Sequence, residues 1–276
     1  AALVGILVGQ GKLRLEERVA IEEWSNPKDR RRNLTLDHLL RMTSGLQFKE
    51  SYGSPLSDPI RMLFAEADAA RFAAQKPLSI VPGTHWAYAS GTTNIISRLI
   101  RSVSPDDETY HGLPRQHLFG SIGMRHAVME TDASGTFVGS SFGWASARDW
   151  ARFGLLFLND GLCQGEQILP EGWVDYCRRP TTTAPRGCYG AHWWCNAGTP
   201  EDPHDRPRPK LPTDFYFASG YQGQSINIFP SQQLVVVRLG MSAPEGAFRR
   251  QDFLAQVLEC FHRPDDRDKR NGSVVP

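Results

Sequence analysis

The side chains able to do covalent chemistry in this chain are scattered, so spacing must show which of them could act together. A serine hydroxyl is a weak nucleophile and needs a base within hydrogen-bond reach. Two serines stand in patterns that could supply one. Ser25-Asn26-Pro27-Lys28 has the Ser-x-x-Lys spacing that sets a hydroxyl and an amine one helical turn apart. That pairing needs a buried helix, yet Pro27 interrupts it and Asp29-Arg30-Arg31-Arg32 follows, so the segment reads as a solvated loop. Gly139-Ser140-Ser141-Phe142-Gly143 fits the Gly-x-Ser-x-Gly nucleophile elbow, with Ser141 as nucleophile and His192, His204 or His262 completing a triad. The strand feeding that elbow would contain Asp132-Ala133-Ser134-Gly135, and the strand–helix alternation of such folds is absent. The eight histidines and five cysteines include no Cys-x-x-Cys and no HExxH, so neither a metal nor another cofactor is expected.

Two further segments draw notice by composition. In Trp86-Ala87-Tyr88-Ala89-Ser90, Tyr88 reads from residue type as a half-buried aromatic at a loop–helix junction, with Ser90 capping the helix. Gly220-Tyr221-Gln222-Gly223-Gln224 reads as a glycine-rich entry to a strand. Trp193 and Trp194 suit core and cleft wall, with His192 a satisfied polar neighbour.

The elements that would position these residues follow from periodicity. Residues 1–9 read as a buried helix that begins before Ala1. Thr35 or Asn33 can cap a helix bearing Leu36, Leu39 and Leu40 that ends at Ser44-Gly45. Ser57-Asp58-Pro59 opens a second, with Ile60, Leu63, Phe64 and Ala67 on one face and Pro77 as its stop. Pro82-Gly83-Thr84 is a turn leading to a helix with Ile95, Ile96, Leu99, Ile100 and Val103 inward. Ser146 starts another, carrying Trp150, Phe153 and Phe157 and closing at Gly161. The last third changes to short runs of β-formers at 189–195, 214–218, 224–229 and 234–239. The last two are joined at hairpin length, so they pair antiparallel. A final helix carries Phe253, Leu254, Val257, Leu258 and Phe261, and the Pro-rich residues 203–212 form a loop. Consecutive antiparallel strands of this kind leave a sheet edge that needs further strands.

Composition excludes some classes. With 40% hydrophobic and 22% charged residues, the chain can bury a core. Its net charge of +1 gives no electrostatic reason to expect nucleic acid as a partner. No stretch reaches the roughly 18 to 20 apolar residues of a membrane span. Cys163 with Cys177, and Cys188 with Cys195, could each bridge a short loop or remain as buried thiols. Pairing would suit an oxidising compartment, which tilts the expected location towards periplasm or secretion. The oligomeric state is not readable.

Four segments together carry a resemblance: LTLDHLLRMTSGL (34–46), PGTHWAYASGTTNIISRLI (82–100), SFGWASARDWARFGLLFLNDG (141–161) and FYFASGYQGQSINIFPSQQLVVVRLG (215–240). In this order and spacing the chain resembles the penicillin-recognising serine hydrolases, which include class C β-lactamases, D-alanyl-D-alanine carboxypeptidases, esterases and 6-aminohexanoate-dimer hydrolases. The resemblance implies an α+β fold of β-lactamase/DD-peptidase type: an antiparallel sheet flanked by helices, with a mainly helical subdomain. It implies one domain over 1–276, helical over about 35–165, with strands and a C-terminal helix over about 186–262. The charged tail 263–276 is expected to be disordered.

For chemistry, the resemblance implies that Tyr88 and Ser90 fill the Tyr-x-Asn or Tyr-x-Ser element. It also implies that Gly220, Tyr221, Gln222, Gly223 and Gln224 fill the place of the Lys-Thr-Gly strand, without its lysine, and that the Tyr221 N–H donates to an oxyanion. A lysine ammonium beside Tyr88 would lower its pKa and let it pass protons. The Ser-x-x-Lys that holds nucleophile and lysine is expected just upstream of Ala1, because residues 1–13 look like the continuation of its helix. Residues 1–276 alone are then expected not to turn over substrate. The implied substrate is an ester, an amide or a peptide-like molecule. The alternatives are a non-catalytic ligand-binding relative, or an α/β-hydrolase using Ser141.

Overall fold

Helix α1 (Ala2–Gly9) is apolar around its circumference and accordingly buried, with Ala2, Val4, Gly5, Ile6 and Leu7 all inside. The computed structural model describes residues 1–243 and 247–261. His262 and the tail expected to be disordered lie outside them. In α1 a side chain at position 5 has no room, since an added Cβ would lie 2.5 Å from the Trp173 indole nitrogen.

Helix α2 (Leu36–Leu40) opens on a reciprocal cap: Thr35 Oγ1 accepts from the His38 N–H, and His38 Nδ1 accepts from the Thr35 N–H. It stops at Leu40, short of the expected Ser44-Gly45, because Met42 turns left-handed at φ 58°. The single helix expected from Ser57 to Pro77 is two, α3 (Asp58–Phe64) and α4 (Ala69–Ala74). Asp68 breaks it by accepting the Arg71 N–H and capping a fresh helix. The expected stripe fails with it: Phe64 is 70% exposed, and Pro59 and Met62 form the buried face. Ser57 makes no cap; Asp58 instead accepts from the Lys49 N–H and pairs with Lys76 at 2.6 Å.

Helix α5 (Ser90–Ser102) buries Ile95, Ile96 and Ile100 as its period requires. Helix α6 (Asp107–Pro114), capped by Asp106, follows it, and then the antiparallel pair β1 (Val128–Met129) and β2 (Gly143–Trp144). Helix α7 (Ala147–Leu158) is capped by Ser146 as expected. A small hairpin, β3 (Leu162–Cys163) with β4 (Glu166–Gln167), leads to α8 (Trp173–Arg178).

The main sheet has strand order β5-β6-β7-β8, all antiparallel: β5 (Trp194–Cys195), β6 (Tyr216–Ser219), β7 (Ser225–Phe229) and β8 (Leu234–Arg238). Of the strand expected at 189–195 only Trp194 and Cys195 join the ladder. His192 at φ 61° folds the segment into a tight hairpin, with Tyr189 bridging Trp194. One face of the sheet, with Tyr216, Ile226 and Ile228, joins the core under α7. There Gly154 lets the backbone approach, since a Cβ would meet Val235 Cγ1 at 2.6 Å. The other face packs Phe215, Phe217 and Phe229 against Leu254 and Leu258 of α9 (Arg250–Cys260). Each such side chain contributes about 1.5–3 kcal/mol by leaving water. Phe253 and Phe261, expected inward on α9, are 41% and 60% exposed. All five cysteines are free thiols.

Candidate active site

Tyr88 is held from both sides of its own backbone. The Ala87 N–H donates to the Met42 carbonyl at 2.9 Å. Two residues on, Ser90 donates twice to Glu50, from its N–H to Oε2 at 2.8 Å and from its hydroxyl to Oε1 at 2.6 Å. Tyr52 donates its hydroxyl to the same Oε1 at 2.7 Å. The Tyr88 ring stacks on Trp194 with centroids 5.4 Å apart and planes 26° apart, and meets Tyr189 edge-on at 5.9 Å. Trp86 packs on Tyr189 at 5.6 Å, and its indole N–H is buried without a partner.

Burial, reinforced by the Glu50 carboxylate, pushes the Tyr88 hydroxyl up to about 12. Among the described residues both influences raise it; the lysine expected to lower it is one placed upstream of Ala1. The proton stays on Tyr88 at neutral pH, which makes it a donor as it stands. Ser90 is 4% exposed, and its hydroxyl donates to Glu50.

Residues 219–224, read as a glycine-rich strand entry and implied to fill the place of the Lys-Thr-Gly strand, form a turn between β6 and β7. Strand β6 ends at Ser219, Gly220 donates to the Gln224 carbonyl at 2.8 Å, and Tyr221–Gly223 make one 3-10 turn. Gln222 at φ 54° and Gly223 at φ 86° carry the reversal. Tyr221 is 73% exposed, and its backbone N–H has no hydrogen-bond partner among the described residues, so it is free to donate. Gln222 has a buried, unpartnered side-chain oxygen, while its carbonyl accepts from the Ser242 N–H at 3.0 Å.

Positive charge gathers beside this turn. Arg208 and Arg250 place their guanidinium carbons 4.2 and 5.2 Å from the centre of the Phe217 ring, and Arg250 donates to Ser219 Oγ at 3.3 Å. Neither has a carboxylate partner among the described residues. Burial, then repulsion from Arg250, brings Arg208 down to about 10. Asn196 anchors the loop that carries Arg208, accepting from the Arg208 N–H and donating to the Leu211 and Pro212 carbonyls. Arg238 is spent locally on the Gly223 and Gly240 carbonyls and Ser242 Oγ.

Trp194 joins the two halves. It stacks on Tyr88 and also on Phe217, its register partner across β5–β6, at 6.2 Å and 23°. No direct hydrogen bond links Tyr88 or Ser90 to residues 220–224. Trp193, by contrast, is core at 2% exposure.

The two literal motifs do not form sites. Ser25 and Lys28 are both exposed. Ser141 lies in an irregular turn ahead of a two-residue strand, and among the described residues no parallel sheet feeds it. Of its would-be partners, His192 has Nε2 3.4 Å from Thr93 Oγ1, and burial holds that imidazole well below its usual range. His204 lies beside Arg206. The neighbouring Ser140 is instead tied to Asn94, accepting from Nδ2 at 3.1 Å. Among the described residues no group of three His, Cys, Asp or Glu side chains could hold a metal ion, and no helix is long and apolar enough to cross a membrane.

Glu50 and the Arg208–Arg250 pair escaped the sequence reading. Glu50 meets Ser90 across forty residues of chain, with no periodic signal to mark it. Arg208 lies inside a Pro-rich loop that reads as a mere connection.

Residues 1–260 match the family model described as Beta-lactamase. Among curated proteins, the chain is 23% identical over 169 residues to 6-aminohexanoate-dimer hydrolase from Paenarthrobacter ureafaciens; the match covers 55% of this chain and 38% of that relative's length. Among solved structures, it superposes on a putative 6-aminohexanoate-dimer hydrolase from Bacillus anthracis with a TM-score of 0.73 at 21% identity, covering 95% of this chain and 69% of that one. A penicillin-binding protein homologue from Caulobacter crescentus gives 0.68 at 15% identity, over 95% and 80%.

Proposed function

The chain belongs to the β-lactamase family, and from that premise we propose that it is a serine hydrolase working through an acyl-enzyme on an ester, amide or peptide-like substrate. The observation that carries this reading is Tyr88, a half-buried phenol at the start of α5, stacked on Trp194 and anchored on both sides. We place the nucleophile and its lysine in a Ser-x-x-Lys on the turn that leads into α1.

In the first step the serine oxygen bonds to the substrate carbonyl carbon, the bond to the leaving group breaks, and the serine proton reaches the leaving group through Tyr88. Water then attacks the acyl carbon, the bond from the serine oxygen to that carbon breaks, and one of the water's protons passes to the serine oxygen. With Glu50 close by, Tyr88 holds its proton until a lysine ammonium offsets that charge. The free Tyr221 N–H and the nucleophile's own N–H stabilise the oxyanion. The Arg208–Arg250 pair favours substrates that carry a carboxylate at the Ser219 end. The curated relative's name, 6-aminohexanoate-dimer hydrolase, supports an amide among them.

A fluorophosphonate probe applied to the protein together with its upstream residues tests the reading. Labelling of one serine three positions before a lysine, ahead of Ala1, is expected. Labelling at Ser141 would overturn it, and a natural sequence without that pair would make the chain a ligand-binding relative.

A further inference from the structure

The first N–H groups of α5 need acceptors, because a helix leaves its opening amides unpaired. The residue at the N-cap, Ala89, has no side-chain acceptor to offer. The acceptor arrives from a different part of the chain, as the Glu50 carboxylate.

Three features hold Glu50 in that place. Phe48, two residues earlier, lies so close to α5 that a Cβ on Gly91 would meet its ring at 2.7 Å. The following segment returns Tyr52, whose hydroxyl occupies a further lone pair of the carboxylate. The next anchor, Lys49 N–H to Asp58, ties the same segment to the start of α3. Glu50 has no cation partner among the described residues, so its charge is directed to the helix N-terminus and to the two hydroxyls.

We propose that Glu50 is a positioning residue for the Tyr88-Ala89-Ser90 turn, closing the N-terminus of α5 through Ser90 and thereby fixing where the Tyr88 hydroxyl points. Tyr88 lies between two fixed points, the Ala87 N–H on Met42 and the Ser90 N–H on Glu50. Removing one releases the turn on that side while the Trp194 stack holds only the ring. The catalytic consequence rests on the hydrolase reading; the clamp itself does not.

Glu50→Ala and Glu50→Gln separate the roles. Glutamine can still accept the Ser90 N–H and donate to its hydroxyl, whereas alanine can do neither. In the intact protein, hydrogen exchange at the Ser90 amide should speed up about tenfold or more in Glu50→Ala and far less in Glu50→Gln. Near-UV circular dichroism should report a loosened Tyr88–Trp194 stack in alanine only. In the active enzyme, kcat should fall about 10–100-fold in Glu50→Ala with little change in KM, and Glu50→Gln should restore most of it. The groups facing Tyr88 are Glu50, Tyr52 and Tyr189. Loss of the Glu50 charge should move the alkaline limb of the Glu50→Gln profile to lower pH. Unchanged Ser90 exchange and an unchanged Tyr–Trp signal in Glu50→Ala would overturn the proposal, whether or not the protein proves to be a hydrolase. If the clamp is released but wild type forms no acyl-enzyme, the hydrolase reading fails and the clamp stands.

Discussion

Replacing Gly91 by alanine tests how tightly the site is built into its helices. A Cβ there would lie 2.7 Å from two carbons of the Phe48 ring and 2.9 Å from the Ala73 Cβ. Comfortable carbon–carbon separation is about 3.5–4.0 Å, so both neighbours must give way by close to 1 Å. They belong to different segments, one carrying Glu50 and the other α4, so no single rotation relieves the overlap. Alanine in a helix interior gains about 1 kcal/mol over glycine. Overpacking on this scale costs about 1–3 kcal/mol, and two opposed rigid neighbours place it at the upper end. The net expectation is a loss of about 1–2 kcal/mol in urea unfolding, with faster exchange at Ser90 as Phe48 shifts Glu50. Gly112→Ala in α6 is the control. The three atoms nearest its Cβ all belong to the Gln116 side-chain amide, the closest at 2.9 Å, which can swing aside, so it should gain stability by up to about 1 kcal/mol. If Gly91→Ala were stabilised as much as Gly112→Ala, the packing of Phe48 and α4 on α5 would not be as described.

Three further substitutions follow from the electrostatics. His192 is held neutral by burial, so its stabilising contribution is present above about pH 6.5 and lost as pH falls below it, where the unfolded chain takes up the proton first. His192→Asn, which tolerates φ 61°, should therefore flatten the fall of Tm from about pH 6.5 to 5; parallel curves for the two proteins would refute this. Arg208→Ala and Arg250→Ala should raise KM about tenfold for a substrate bearing a carboxylate while leaving a neutral p-nitrophenyl ester almost unaffected. An equal loss on both substrates would mean that the pair supports the turn and not the ligand.

What the sequence revealed was what is local. The inward faces of α5 and α7 follow from a period of 3.6 that each segment carries by itself, and the pairing of β7 with β8 from the hairpin length of their connection. The break between α3 and α4 did not follow, because Asp68 looks like one more polar residue in an amphipathic run until its side chain is seen to cap Arg71. The turn at 219–224 was marked by its glycines, but the left-handed Gln222 that makes it a turn carries no such mark. Tyr88 drew notice through the resemblance, while the contacts around it carried no signal. Burial and then Glu50 raise its hydroxyl, and the Glu50–Ser90 contact joins segments forty residues apart.

The most direct test of the central claim is intact-protein mass spectrometry during turnover of a p-nitrophenyl ester, comparing wild type with Tyr88→Phe in the protein that carries its upstream residues. The account predicts one acyl group per chain in wild type, on a serine ahead of α1, and adduct formation slowed by about a hundredfold or more in Tyr88→Phe. Ester turnover without any adduct, or an adduct that forms equally fast in Tyr88→Phe, would contradict it.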